Sequence, residues 1–406
     1  MPLPPEDWTR FKRMAAKIRT IEMRENLPND ARPDSSVYRI VANTFPGASW
    51  LPRLRRLVYV APDLDQDVCL ELECLLTPSL ADFSFSADEP ISDRILERLA
   101  STCREVRALA WKKQWFTTPL SPSLAKFSTL DRLDVNWAEL NNENVGIIST
   151  LSSLTLLEIA FDLDWHKQRT GSLNHGHRIL GNLETLKISG LNEDIFAFIG
   201  CLNGSRLDRL VVSLMWEAQR PSSSSFRDAI SSLKTLSLKF SASNRPDDPI
   251  DVEKLLEPFG HATTITKLSI KLFWWTQGDT LDKHLSELLK NFPLLESLTI
   301  KFVLANCYWA DMGSLQLMAN AAKYCPKLKR MRFKGNINPA LLEGPVMDSF
   351  ADLEDLDLSG SRAMDRSRRP VEVDQGKLKE FIQSIAPGLS MDHARLDCYR
   401  VIALAA

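Results

Sequence analysis

The stretch Leu295-Glu-Ser-Leu298-Thr-Ile300 decides how the rest of the chain is read. Its apolar residues fall at i, i+3 and i+5. The last two share one side of an extended strand, and the first enters through a turn. The same phrase comes before it at Ile265/Leu268/Ile270 and after it at Leu328/Met331/Phe333 and Leu353/Leu356/Leu358. Toward the N-terminus it appears as Leu54/Leu57/Tyr59, Leu80/Phe83/Phe85, Val106/Leu109/Trp111, Leu130/Leu133/Val135, Leu154/Leu157/Ile159, Leu183/Leu186/Ile188, Leu207/Leu210/Val212 and Leu233/Leu236/Leu238. Successive phrases begin 24 to 33 residues apart, a period that belongs to repeat architectures. A degenerate thirteenth phrase, Ile18/Ile21/Met23, lies 36 residues upstream of the first.

Between the phrases lie segments with apolar residues on one helical face: Asp93 to Ala100, Glu193 to Gly200, Leu281 to Leu289 and Leu315 to Ala322. One strand and one helix per repeat, always in the same direction, predict an α/β leucine-rich-repeat solenoid of about 12 to 13 irregular repeats. This is a horseshoe with a parallel concave sheet and helices on the convex side. A doubly wound domain would need longer buried strands and a glycine-rich phosphate turn, and neither is visible. The asparagine or cysteine usual three residues after the last apolar position is mostly missing, with Asn336 the clearest exception. The turns are therefore expected to lack the usual ladder of side-chain hydrogen bonds.

Exposed ends of a repeat core need caps. Trp8, Phe11, Met14 and Ile18 at helical spacing supply one, and the helix Lys377 to Ile385 with a strand from Cys398 to Leu404 supplies the other. The expected organisation is a helical cap with the degenerate repeat over 1–50, the repeat array over 51–360, and a basic loop with a cap over 361–406.

The 406 residues carry 50 Lys+Arg and 52 Asp+Glu, a formal charge of −2, so bulk charge gives no case for nucleic acid. No run of 18 apolar residues and no basic, apolar leader is found, which points to a cytoplasmic or nuclear protein with no membrane partner. Asn203-Gly-Ser205 has the form of a glycosylation sequon, which means nothing without secretion. The seven cysteines are scattered without a C-x-x-C pair and read as reduced core residues.

The repeats, together with the Trp-x-x-Phe segment Glu6 to Ile21 and the lead-ins Leu76-Thr-Pro-Ser-Leu80 and Leu120-Ser-Pro-Ser-Leu124, resemble fungal F-box/leucine-rich-repeat proteins across almost the whole chain. The resemblance implies the substrate-recognition part of an SCF-type ubiquitin ligase receptor, whose repeats choose the target. Only seven residues precede Trp8 where that family carries its F-box. The adaptor-docking part is thus expected to be lost or outside this chain. The alternative is a free-standing leucine-rich-repeat scaffold with no ubiquitin link, and in either case a monomer outside its complex.

In each strand, the residues flanking the inward apolar pair form the open face. There the ninth to eleventh repeats place Lys267, Ser269, Lys271, Ser297, Thr299, Lys301, Arg330, Arg332 and Lys334, with Lys187 and Lys239 extending the stripe backward. Asp355 and Asp357 then reverse its sign, while Asp82, Asp134 and Glu158 leave the N-terminal half mildly acidic. The stripe reads either as a groove for an acidic or phosphorylated protein segment, with Arg330 and Arg332 as bidentate donors, or as a face kept soluble by long cationic side chains. Of the tryptophans just past strands (Trp137, Trp165, Trp216, Trp274, Trp275 and Trp309), Phe273-Trp274-Trp275 is the candidate aromatic anchor on the rim.

His166, His175 and His177 with Asp162 and Asp164 read as a solvated loop rather than a metal site. Arg362, Arg366, Arg368 and Arg369 read as a disordered basic loop. No Walker, kinase, metalloprotease or nucleophile-elbow pattern occurs, so no catalytic residue, metal or cofactor is expected.

Overall fold

A computed structural model describes residues 5–24, 40, 43, 50–60, 72–86, 91–112, 120–138, 141–161, 180–202, 204–215, 224–241, 256–272, 281–302, 315–337, 348–359, 361–363, 374–390 and 394–395. The chain forms two compact units, 1–188 and 189–406. In the first, β1 (Thr20–Arg24), β2 (Arg56–Val60), β3 (Asp82–Ser86), β4 (Ala108–Lys112), β5 (Arg132–Ala138) and β6 (Leu156–Phe161) run parallel, each paired with the next. The unit's last strand, β7 (Thr185–Leu191), ends just inside the second. The degenerate phrase is a true strand, because Ile21 and Met23 stand in register with Leu57 and Tyr59.

The second unit holds β8 (Arg209–Met215), β9 (Thr235–Ser241), β10 (Lys267–Leu272), β11 (Ser297–Phe302), β12 (Arg330–Lys334), β13 (Asn336–Ile337), β14 (Asp355–Asp357), β15 (Arg362–Ala363) and β16 (Ala394–Arg395). Strands β8 to β12, then β14 and β16, pair in parallel, while β13 and β15 make a separate two-stranded sheet.

The residues between strands fold into the helices Ile91–Thr102 and Asn142–Ser149 in the first unit. In the second they form Asn192–Cys201, Ser224–Ile230, Leu281–Leu289 and Leu315–Tyr324. In two repeats a short 3-10 turn stands in the helix's place, Pro122–Lys126 and Glu257–His261. Strand residues alternate buried and accessible, as in β11, where Leu298, Ile300 and Phe302 are buried and Ser297, Thr299 and Lys301 are not. Each unit is therefore a leucine-rich-repeat solenoid of the α/β class, with apolar side chains packed toward the helices.

One backbone contact recurs at the same place in nearly every repeat. The carbonyl of the residue after the first leucine accepts two amides from the next repeat. Arg55 O takes Ala81 N–H and Asp82 N–H at 2.9 Å, Thr155 O takes Glu184 and Thr185 at 2.9 Å, and Thr266 O takes Glu296 at 2.8 Å and Ser297 at 3.0 Å. The turn before it closes by an i to i+3 bond, such as Leu295 N–H to Phe292 O at 3.1 Å. This turn buries a residue three places ahead of most phrases, among them Leu51, Phe127, Leu151, Ile230, Phe292 and Cys325.

A different side-chain ladder stands in place of the usual one. The residue just before the first leucine supplies it: Ser79 donates to Leu54 O (2.9 Å), Thr129 to Val106 O (3.1 Å), Ser153 to Ser128 O (2.8 Å) and Asn182 to Ser152 O (2.9 Å). In the second unit, Ser232 donates to Leu207 O (3.3 Å) and Thr264 to Leu233 O (2.8 Å). A hydroxyl one residue before the strand turn reaches the preceding repeat as an asparagine past the strand would. Asn336 instead lies in β13, and the turn there is held by buried Ser361, whose Oγ donates to Phe333 O at 3.0 Å.

The helices expected near the two ends form, the first with different bounds. The first helix spans Pro5–Ala15, so Ile18 lies beyond it, and within it Met14 is 61% exposed. Ala15 is the buried residue, and Phe11 stacks on Trp50 with centroids 5.6 Å apart. At the other end the helix Gln375–Ile385, capped by Asp374, buries Leu378, Phe381, Ile382 and Ile385. The expected strand from Cys398 lies outside the described residues, and β16 pairs with β14 instead. Burial pushes the Cys103 and Cys325 thiols up to about 12, which keeps them protonated packing groups.

Leu298 is fully buried; Leu298→Ala is expected to cost about 2–5 kcal/mol in urea unfolding through the cavity it leaves. Thr264→Val should cost about 1 kcal/mol by losing its bonds to Leu233 O and Ser231 O. Thr263→Val beside it should change nothing measurable, and equal effects of the two would remove the ladder from the account.

Candidate functional site

Parallel register arranges the accessible residues of the second unit into rows that cross the strands. The first row is Thr235, Lys267, Ser297, Arg330 and Asp355, and the middle row is Ser237, Ser269, Thr299, Arg332 and Asp357. The third is Lys239, Lys271, Lys301 and Lys334, one lysine on each of four consecutive strands. All four are accessible, Lys301 partly so. A single row of four like charges is a property of register that the linear order of residues does not display.

The three rows differ in compensation. On β12, Arg332 faces Asp357 of β14 at 4.0 Å, and Arg330 is in register with Asp355. The third row has no such end, because β14 pairs with only three residues of β12 and stops short of Lys334. Among the described residues, Lys271, Lys301 and Lys334 make no ion pair. The stripe thus narrows to the lysine ladder, with Arg332 partly occupied and Lys267 on the opposite side of the face. Phe273, Trp274 and Trp275 lie outside the described residues, as do the His166/His175/His177 loop and residues 366–369.

In the first unit the expected acidic surface is corrected by ion pairs. Asp82 meets Arg56 at 3.6 Å, Asp134 meets Lys112 at 4.0 Å, and Glu158 meets Lys187 at 2.7 Å. Lys187, read from sequence as part of the basic stripe, therefore neutralises Glu158 in a different unit. Exposed pairs of this kind each contribute about 0–1 kcal/mol. They do cancel the field. Asp134 is the strained member. Burial first, and then neighbouring Glu158, raise its pKa above the ordinary 3.8, while Lys112 and Lys187 pull it down.

On the helix side, Arg227, the 3-10 turn and the helix Leu281–Leu289 line a cleft of ≈ 560 Å³. His261, Lys283, His284 and Lys290 stand in its wall, with Lys290 bonded to Glu287. Nothing in the sequence singled it out, since its residues come from three repeats. Among the described residues no group of three or more His, Cys, Asp or Glu is placed to hold a metal ion, and no helix is long and apolar enough to cross a membrane.

No protein-family model matches the chain, and no curated protein does. Among solved structures, an internalin (inlF) from Listeria monocytogenes is similar, with a TM-score of 0.46 and 11% identity over 92% of this chain and 88% of that one. At that level of likeness the fold rests on the strand register itself.

A raised carboxylate pKa means that the charged form is the disfavoured one in the folded chain. Its stability is highest below 3.8 and falls as pH rises through the raised value. Asp134→Asn should therefore melt above the wild-type chain at pH 7 and lose that advantage below pH 3.8. A lower melting point for the variant at pH 7 would show that the Lys112 and Lys187 contacts outweigh burial.

Proposed function

We propose that the chain is a non-enzymatic protein-interaction module, which takes an acidic or phosphorylated segment of a partner protein on the open face of its second unit. The observation that carries this reading is the row Lys271, Lys301 and Lys334, in register with Lys239 on adjacent strands and, among the described residues, in no ion pair of their own. Like charges one strand apart, about 4.8 Å, repel one another, and an anionic ligand relieves that repulsion while gaining charge-assisted hydrogen bonds. Lys267, Arg330 and Arg332 add donors across the face. In this reading residues 1–50 and 361–406 cap a repeat array over 51–360, and Phe273-Trp274-Trp275 supplies an apolar anchor on the rim.

The finer reading is that of a substrate receptor for an SCF-type ubiquitin ligase, active in the cytoplasm or nucleus. It rests on the resemblance of the repeats and of the Trp8/Phe11 helix to F-box/leucine-rich-repeat proteins. A scaffold without a ubiquitin link would use the same face. Affinity purification of the tagged chain from its own cells separates them: the ligase adaptor is recovered in the first case and absent in the second.

For the face itself, Lys271→Glu with Lys301→Glu is expected to abolish the salt-sensitive fraction of bound proteins while leaving the melting temperature within about 1–2 °C, as surface substitutions do. Retention of every partner by the double variant would contradict the proposal.

A further inference from the structure

The rows of the second unit define the shape of the occupant as well as its charge. Adjacent strands lie about 4.8 Å apart, so the four ladder lysines stand at about 0, 4.8, 9.6 and 14.4 Å along a line crossing β9 to β12. An α-helix rises about 1.5 Å per residue, and side chains at i, i+3, i+7 and i+10 stand on one stripe at about 0, 4.5, 10.5 and 15 Å. The two series agree within about 1 Å at every step. An extended segment presents same-side residues about 6.6–6.8 Å apart. It would place three acids along the ladder, out of step with the lysines.

Width leads to the same occupant. The ladder and the first row, with Lys267 and Arg330, are separated by four residues along each strand, about 13 Å. A helix with its side chains is about 10–12 Å across. The floor between these banks carries small, half-buried hydroxyl residues, Ser237, Ser269 and Thr299. It fills with longer side chains only at Arg332, beside Asp357. A trough with small residues along its floor and cations on both banks accepts a rod better than a flat ribbon.

Resting on the acidic-partner reading above, we infer that the trough seats an amphipathic helix of a partner protein, lying across β9 to β12 with Asp or Glu at i, i+3, i+7 and i+10 toward the lysine ladder. Phosphoserine at any of these positions would serve in place of a carboxylate.

The test uses the full chain and three labelled peptides of about 20 residues, long enough for an Ala-rich sequence to be helical in water. The first carries four glutamates at i, i+3, i+7 and i+10. The second permutes the same residues so that the glutamates are spread around the helix. The third places them at alternate positions in a proline-broken, extended sequence. By fluorescence anisotropy at low salt, the first should bind at least about tenfold more tightly than either other, a difference of about 1.4 kcal/mol. It should lose that advantage in the Lys271→Glu/Lys301→Glu variant, whose fold is checked by circular dichroism. Equal or tighter binding of the extended peptide through the same lysines overturns the helix and leaves the acidic-partner reading standing. No lysine-dependent binding by any of the three overturns both.

Discussion

The carbonyl that accepts two amides from the next repeat is the contact on which the rest depends. It sits where each phrase leaves its turn, at Arg55, Thr155, Thr266 and their equivalents, and it fixes the first strand residue of one repeat against that of the next. Once that point is pinned, the period-two alternation does the rest. Every second side chain goes to the core, and the intervening ones fall into rows. The hydroxyl ladder of Ser79, Thr129, Thr264 and their counterparts ties the same turns from the side. A slip of one residue would turn Leu298 and Ile300 outward and bury Thr299 and Lys301, so burial and register enforce each other.

That constraint makes the open face a grid, and function follows from what the grid brings together. In the first unit, neighbouring strands set carboxylates against cations, and the charges cancel. In the second, the third row places lysine beside lysine three times over four strands, and the strand that compensates the other two rows ends before it reaches this one. The chain tolerates the repulsion because the side chains are long and accessible. It gains a surface whose charges stand at fixed intervals, the kind of surface that can measure a partner's spacing as well as its sign.

Much of this was legible in the sequence, for a physical reason. Apolar spacing determines strands and their inward residues, so all the phrases from Leu54 onward, and Ile21 with Met23, are found where they were read. The accessible cations Lys267, Lys271, Lys301 and Lys334 follow from the same alternation. Compensation was not legible, because it depends on which residue of a neighbouring strand stands opposite. Lys187 therefore looked like part of the stripe although Glu158 holds it, and Asp134 looked like a free acid. The ladder of hydroxyls was visible as a Ser, Thr or Asn before the first leucine in six repeats, but on the other side of the phrase from the position where an asparagine is expected. Ile18 does not belong to the first helix because helical spacing says nothing of where the helix stops, and this one ends at Ala15.

The central claim, that register sets the ladder lysines side by side, is tested most directly by replacing Lys271 and Lys301 with histidine and titrating the full chain with Ni²⁺. Imidazoles on adjacent strands, about 5 Å apart, chelate one ion together, whereas a one-residue slip would point one of them into the core. The double variant is expected to gain about 2–3 kcal/mol of unfolding stability at a metal concentration near 100 times its dissociation constant, and neither single variant to do so. A double variant stabilised no more than the two singles would contradict that claim.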